Sequence, residues 1–320
     1  RLMADFSLST SMSVMRRTAP FVIARVVIYF GIAVAYVLVT GVGAGIGWGI
    51  GAIGSDDFQA NSTFWGGLIG FGGTATVLYF LREYILYMVK AAHIAVMVEY
   101  LEGRDLPDGR GQIEHGQAVV RERFGQANVL FALDQIIKGV LRAVTGIVGG
   151  LASILPIPGM DGLMKLIRAF LRVAVGLLDE VILAHLIRTR AENPWAGGRD
   201  ALVLYAQNAK PMLGNAFWVA LWVYALSFVV FLVMLAPAAA VVWLIPGAWS
   251  AGGLIFAVLF AWAVKVALIE PFAIACLMQA FVKVTDGQVP NPDWADKLDN
   301  LSTKFRSLGE RAVSAVTPGR

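Results

Sequence analysis

Four long apolar stretches decide what this chain can fold into. They cover residues 20–50, 64–98, 214–245 and 252–282, and each exceeds the roughly 20 residues an α-helix needs to cross about 30 Å of hydrocarbon. A water-soluble fold would have to bury all four, whereas a bilayer hides them together, and helices satisfy their own backbone groups there. Composition agrees: 58% of residues are hydrophobic and only 15% charged, against roughly 45–50% and 25% in soluble domains. Collagen, disorder, a disulfide framework and a cytosolic enzyme are thereby excluded. The single cysteine, Cys276, leaves no intrachain disulfide and no cysteine-based metal site.

Between the second and third stretches, residues 127–155 and 160–187 flank Pro156-Ile157-Pro158-Gly159, a breaker that turns the chain into a helical hairpin. Asp134, Lys138 and Arg142 recur at helical spacing on the first arm, and Lys165, Arg168 and Arg172 form a similar stripe on the second, continued by Asp179. Folding about residues 157–158 brings Lys138 and Asp134 level with Asp179 and Glu180, a charged seam. Spanning, re-entrant and interfacial placements all remain open, with the interfacial one favoured because three uncompensated cations in the outer half of a bilayer would be costly. The expected fold is an all-α polytopic membrane protein with four transmembrane helices plus this amphipathic hairpin. It divides into a cytoplasmic segment (1–19), a helical membrane domain (20–285) and an exposed cytoplasmic tail (286–320).

Lysine and arginine orient the chain. Residues 41–67, 155–163 and 245–253 contain neither, whereas Arg16, Arg17 and the segments 104–123, 188–210 and 283–311 are basic, so the basic side is cytoplasmic by the positive-inside rule. Both termini are expected inside and residues 51–63 outside, in a multi-pass protein of the plasma (inner) membrane. The net charge of +4 is accounted for by topology, and no nucleic-acid partner is expected. Residues 99–124 read as a solvated connector, and 200–212 as a short amphipathic helix on the inner leaflet.

Gly43, Gly47 and Gly51 form a GxxxG ridge at the outer end of the first span, suited to close helix packing or to a homo-oligomer. Gly66, Gly67, Gly70 and Gly73 offer an opposing surface. His93, His115 and His185 are scattered and no hydrolase or metal motif occurs, so neither a metal nor a cofactor is expected. The informative residues are charges at membrane depth, because even lenient scales charge about 2.5–3.5 kcal/mol for one at a helix centre. Arg82, Glu83, Lys265 and Glu270 are of this kind. Glu270 precedes Pro271, which frees a carbonyl one turn back, so carboxylate and carbonyl together suit a cation. Trp262 and Tyr224 supply aromatic faces for cation–π attraction.

Arg199-Asp200-Ala201 with Asn208 ahead of a long span, the span from Lys265 to Gln279 carrying Glu270 and Cys276, and the basic stretch 163–190 together resemble the C-terminal half of the choline transporter-like family. The resemblance implies a multi-helix carrier for an organic cation such as choline, with Glu270 as its counter-ion. The other reading is a non-transporting scaffold that meets lipid or partners through the glycine ridge and the hairpin.

Overall fold

The computed structural model describes residues 5–81, 86–106, 111–124, 127–153, 161–244 and 252–316. Every regular element among them is helical: α1 (Leu8–Arg17), α2 (Ala19–Gly51), α3 (Asp56–Leu81), α4 (Tyr87–Leu101), α5 (Gln112–Phe124), α6 (Ala127–Ser153), α7 (Asp161–Arg188), α8 (Pro194–Gln207), α9 (Ala209–Leu244), α10 (Gly252–Val264), a π-helical turn (Lys265–Ile269), α11 (Glu270–Thr285), α12 (Pro292–Leu301) and α13 (Thr303–Val316). Among the described residues three helices are long and apolar enough to cross a membrane: Ala19–Gly51, Ala209–Leu244 and Gly252–Thr285. They mark a membrane protein. The stretch expected as a further span, 64–98, is described as α3 and α4, and Arg82 and Glu83 lie outside the described residues, as do the hairpin turn 154–160 and residues 245–251.

The chain divides into two compact units, one of Phe21–Leu86 with Val223–Glu270, the other of Arg1–Pro20, Tyr87–Trp222 and Pro271–Arg320. The first, an apolar unit, is inside out by the standards of a soluble protein. Ile23, Val27, Leu38, Val42, Ile46, Phe228, Val233 and Val258 are all exposed, a continuous apolar exterior of the kind lipid covers. Its interior is lined by small and aromatic residues. The buried positions of α2, namely Phe21, Arg25, Tyr29, Ala33, Thr40, Ala44, Gly47 and Gly51, recur at spacings of three, four or seven residues, one face of a helix.

The upper part of that face is the glycine ridge, and α3 covers it. A Cβ on Gly43 would collide with the Gly66 carbonyl, one on Gly47 with the Ser62 carbonyl, and one on Gly51 with Gln59 and Ser62. Gly70 in turn sits against the Val39 carbonyl, whereas Gly41, Gly45, Gly49 and Gly73 have nothing within 4 Å. The opposing surface is therefore Gly66 and Gly70 without Gly73. Within the chain, α3 packs along the ridge of Gly43, Gly47 and Gly51.

The second, polar unit has a core of the soluble kind. Ile94, Met97, Leu130, Leu133, Ile137, Leu141, Leu178, Tyr205, Phe281 and Phe305 are almost wholly buried. The hairpin arms α6 and α7 are present; they pack on α8, and α7 also on α4 and α6 on α13, so the hairpin is part of a helical domain. Three expectations change here. Residues expected as a solvated connector contain α5, which packs on α4 and buries Val120. The helix expected on the inner leaflet, α8, instead buries Ala201 through Ala206 in protein; Asn193 caps it by accepting from the Trp195 and Ala196 amides, with Pro194 in the first turn. The tail is not an exposed extension. Leu298, Phe305 and Leu308 are buried, and Arg199 holds Asp299 in a two-pronged pair at 2.9 and 2.6 Å while its guanidinium covers the Phe305 ring. These elements were read as surface because their apolar residues are sparse, and sparse apolar residues still build a core when several helices contribute one stripe each.

Candidate functional site

Pro271 follows a widened turn in the backbone of the apolar unit. Lacking an N–H, it cannot continue the hydrogen-bond ladder, and just before it the helix widens into the π-turn Lys265–Ile269, where the Glu270 amide donates to the Lys265 carbonyl. In this wider register the next donor would belong to residue 271, so the Val266 carbonyl has no amide of its own. Arg25 fills the place: its Nη2 donates to the Val266 carbonyl at 2.6 Å. On the same turn Lys265 Nζ lies 3.3 Å from Glu270 Oε1. Tyr29, one turn along from Arg25, meets the Trp262 ring edge-on at 5.5 Å, and the Arg25 guanidinium carbon lies 5.9 Å from the centre of the Tyr29 ring.

Of the residues expected from the sequence, Lys265, Glu270 and Trp262 are thus gathered on or beside the π-turn, while Tyr224 is exposed on α9. Glu270 is not an unengaged counter-ion, since Lys265 is already beside it. Arg25, which sequence reasoning passed over, is among the described residues the most deeply buried ion in the unit at 1% exposure, and its Nε and Nη1 have no hydrogen-bond partner. Its signal was available: a lone arginine several residues inside an apolar run, in helical register with Phe21, Tyr29 and Ala33.

A second polar constellation lies in the polar unit. Lys138 Nζ is 2.6 Å from Asp134 and 3.3 Å from Asp179, and Lys90 of α4 pairs with Glu180. Arg142 is exposed and stands outside these pairs; Arg172 is exposed as well, and the side chains of Lys165 and Arg168 lie outside the described residues. Three carboxylates therefore share two lysines. Burial, with Glu180 next to it, holds the Asp179 carboxyl well above the usual carboxylate range. Burial alone would depress Lys138, but Asp179 and Asp134 raise it above its ordinary value.

The polar unit also holds a cleft of about 640 Å³. Val98, Val181, Met278 and Phe281 form its apolar wall, and the pairs Asp5–Lys283 and Glu102–Arg188 its rim. His185 lines it, edge-on to Phe281 at 5.2 Å, with Nδ1 buried and without a hydrogen-bond partner. Burial, aided by Arg188, pushes the His185 imidazole down from 6.5 to about 4. Between these values the unfolded chain binds more protons than the folded one, so stability is present above pH 6.5 and lost as the pH falls towards 4, on the order of 3 kcal/mol in full. Melting in detergent between pH 7.5 and 4.5 is expected to show this loss, and His185→Gln should flatten it; an unchanged slope in that variant would assign the acid sensitivity elsewhere.

Among the described residues no group of three or more histidine, cysteine or acidic side chains is placed to hold a metal ion. Comparison with protein-family models, curated proteins and solved structures gives no match for this chain.

Proposed function

We propose that this chain is a membrane transport protein for a small solute, with the π-turn and Arg25 at the solute's path. The observation that carries the reading is the burial of Arg25 at 1% exposure inside a unit whose outer surface is apolar. Ionisable groups in such a setting are costly, and they recur where ions or solutes pass. Local departure from α-helical geometry next to them supports the same reading, because π-turns in helices gather at functional sites and non-helical backbone at membrane depth is tolerated where it lines a cavity or is buried in protein. Plasma-membrane location with both termini cytoplasmic belongs to the same proposal and rests on the distribution of lysine and arginine.

Flux from proteoliposomes tests it. The full chain is reconstituted and challenged with neutral, cationic and anionic small solutes, and at least one is expected to move faster than through protein-free vesicles. Arg25→Gln, which removes the buried charge, is expected to lower that flux by about tenfold or more, a change of about 1.4 kcal/mol in barrier, while the protein stays monodisperse. If Arg25 is only the structural partner of the Val266 carbonyl, the variant instead melts early and loses flux in proportion to folded protein. Vesicles in which no solute moves would leave the scaffold reading in its place.

A further inference from the structure

We propose that the solute is a small monovalent oxyanion, a carboxylate or an inorganic anion of the same planar shape, and that Arg25 is its binding residue. This rests on the transport reading, but the binding site it names can be tested without it.

Among the described residues at the π-turn there are two cations, Arg25 and Lys265, and one carboxylate, Glu270, which lies 3.3 Å from Lys265. The set carries one surplus positive charge, and it is localised on Arg25. An organic cation would meet Lys265 already beside Glu270 and Arg25 opposing it. An anion meets the reverse.

Hydrogen bonding narrows the class. A guanidinium presents five donors in a planar fork. Arg25 commits Nη2 to the Val266 carbonyl, and the N–H groups of Nε and Nη1 are buried without an acceptor. Leaving buried donors unmatched costs about 1–3 kcal/mol apiece, more when the group is charged, and a structure retains such a cost where a ligand removes it. The ligand that does so must be acceptor-only, carry one negative charge to neutralise the surplus, and fit a planar fork, which describes a carboxylate group or nitrate. The Val266 hydrogen bond fixes the guanidinium plane, so the fork is oriented before the ligand arrives. Tyr29 and Trp262 beside it provide apolar, aromatic surface, which suits a weakly hydrated monoanion better than sulfate or phosphate with their tighter water shells.

The experiment uses the full chain with benzoate and nitrate as planar monoanions and with sulfate and choline as comparators. In detergent, benzoate and nitrate are expected to raise the melting temperature saturably, in line with ligand linkage, while sulfate and choline at equal concentration do not saturate. Arg25→Gln should abolish that shift, and Arg25→Lys, which keeps the charge but loses the fork, should weaken it by about tenfold or more. In proteoliposomes, labelled benzoate uptake is expected to be saturable, competed by nitrate and unaffected by choline. If Arg25→Gln does not fold, the wild-type response and the Arg25→Lys response still decide the matter. Saturable stabilisation without flux of any solute would keep the anion site and remove the transport reading. Choline uptake with no anion-dependent stabilisation would do the opposite. A benzoate shift equal in wild type and both variants would overturn the assignment to Arg25.

Discussion

Gly47→Ala is expected to destabilise the apolar unit by about 1–3 kcal/mol or more, whereas Gly45→Ala on the same helix is expected to be neutral or mildly stabilising. The contrast comes from what a single methyl group meets. At Gly47 it would collide with the Ser62 carbonyl and lie 3.0 Å from Thr63 Cα, and at Gly45 it meets nothing within 4 Å. The obstacle at Gly47 is backbone, which cannot swing aside as a side chain does, so α2 and α3 would have to separate along the whole ridge that Gly43, Gly47 and Gly51 form with Gly66 and Gly70. In lipid, where apolar surface gains nothing by leaving the solvent, such close backbone approach is a main source of helix–helix attraction. At Gly45 the only change is the backbone entropy of a helical glycine, which favours alanine by up to about 1 kcal/mol. Thermal melts of the purified variants in one detergent measure the difference. Equal shifts at the two positions would mean that the ridge does not hold α2 to α3.

The legibility of the fold in the sequence followed the strength of each pattern. The spans at residues 20–50, 214–245 and 252–282 were plain because uninterrupted apolar length has one economical solution. The ridge was readable as well, since glycines four apart on an apolar helix leave room for little besides another backbone. Division into an apolar and a polar unit was not. α4, α8 and α11 have apolar residues enough to pass for membrane segments or interfacial helices, and only their burial in the folded chain shows that Ala91 to Val98, Ala201 to Ala206 and Ile274 to Phe281 are covered largely by protein. The tail escaped for the opposite reason: α12 and α13 are highly charged, and each contributes only one or two anchors, such as Leu298, Phe305 and Leu308. At the π-turn, Glu270, Lys265 and Pro271 were visible as an ionisable pair beside a helix breaker, but Arg25 is far off in sequence and its role depends on a carbonyl that becomes free only when the helix widens.

Lys138→Met is expected to cost the polar unit about 3–5 kcal/mol, the usual penalty for removing one partner from buried ions. Lys138 stands between Asp134 at 2.6 Å and Asp179 at 3.3 Å, and both carboxylates are almost fully buried. Without the ammonium, each must either ionise in apolar surroundings or hold a proton that the unfolded chain would release at neutral pH. Asp179→Asn should behave differently. The Asp179 carboxyl is already held well above its ordinary 3.8 by burial and by Glu180, so the folded chain binds a proton there that the unfolded chain loses once the pH exceeds that value. Stability from this group is therefore greatest in acid and declines as the pH rises from about 3.8 towards the folded value. Asparagine removes the titration, so Asp179→Asn alone is expected to lose that slope, opposite in sign to the one assigned to His185. Combined with Lys138→Met it should recover part of the loss, because one of the two stranded carboxylates has gone. Melts of the two single variants and the double variant across pH 5 to 8 give the coupling directly. Losses that simply add would mean that Lys138 and Asp179 do not act on one another, and that Asp134 alone accounts for the position of the lysine.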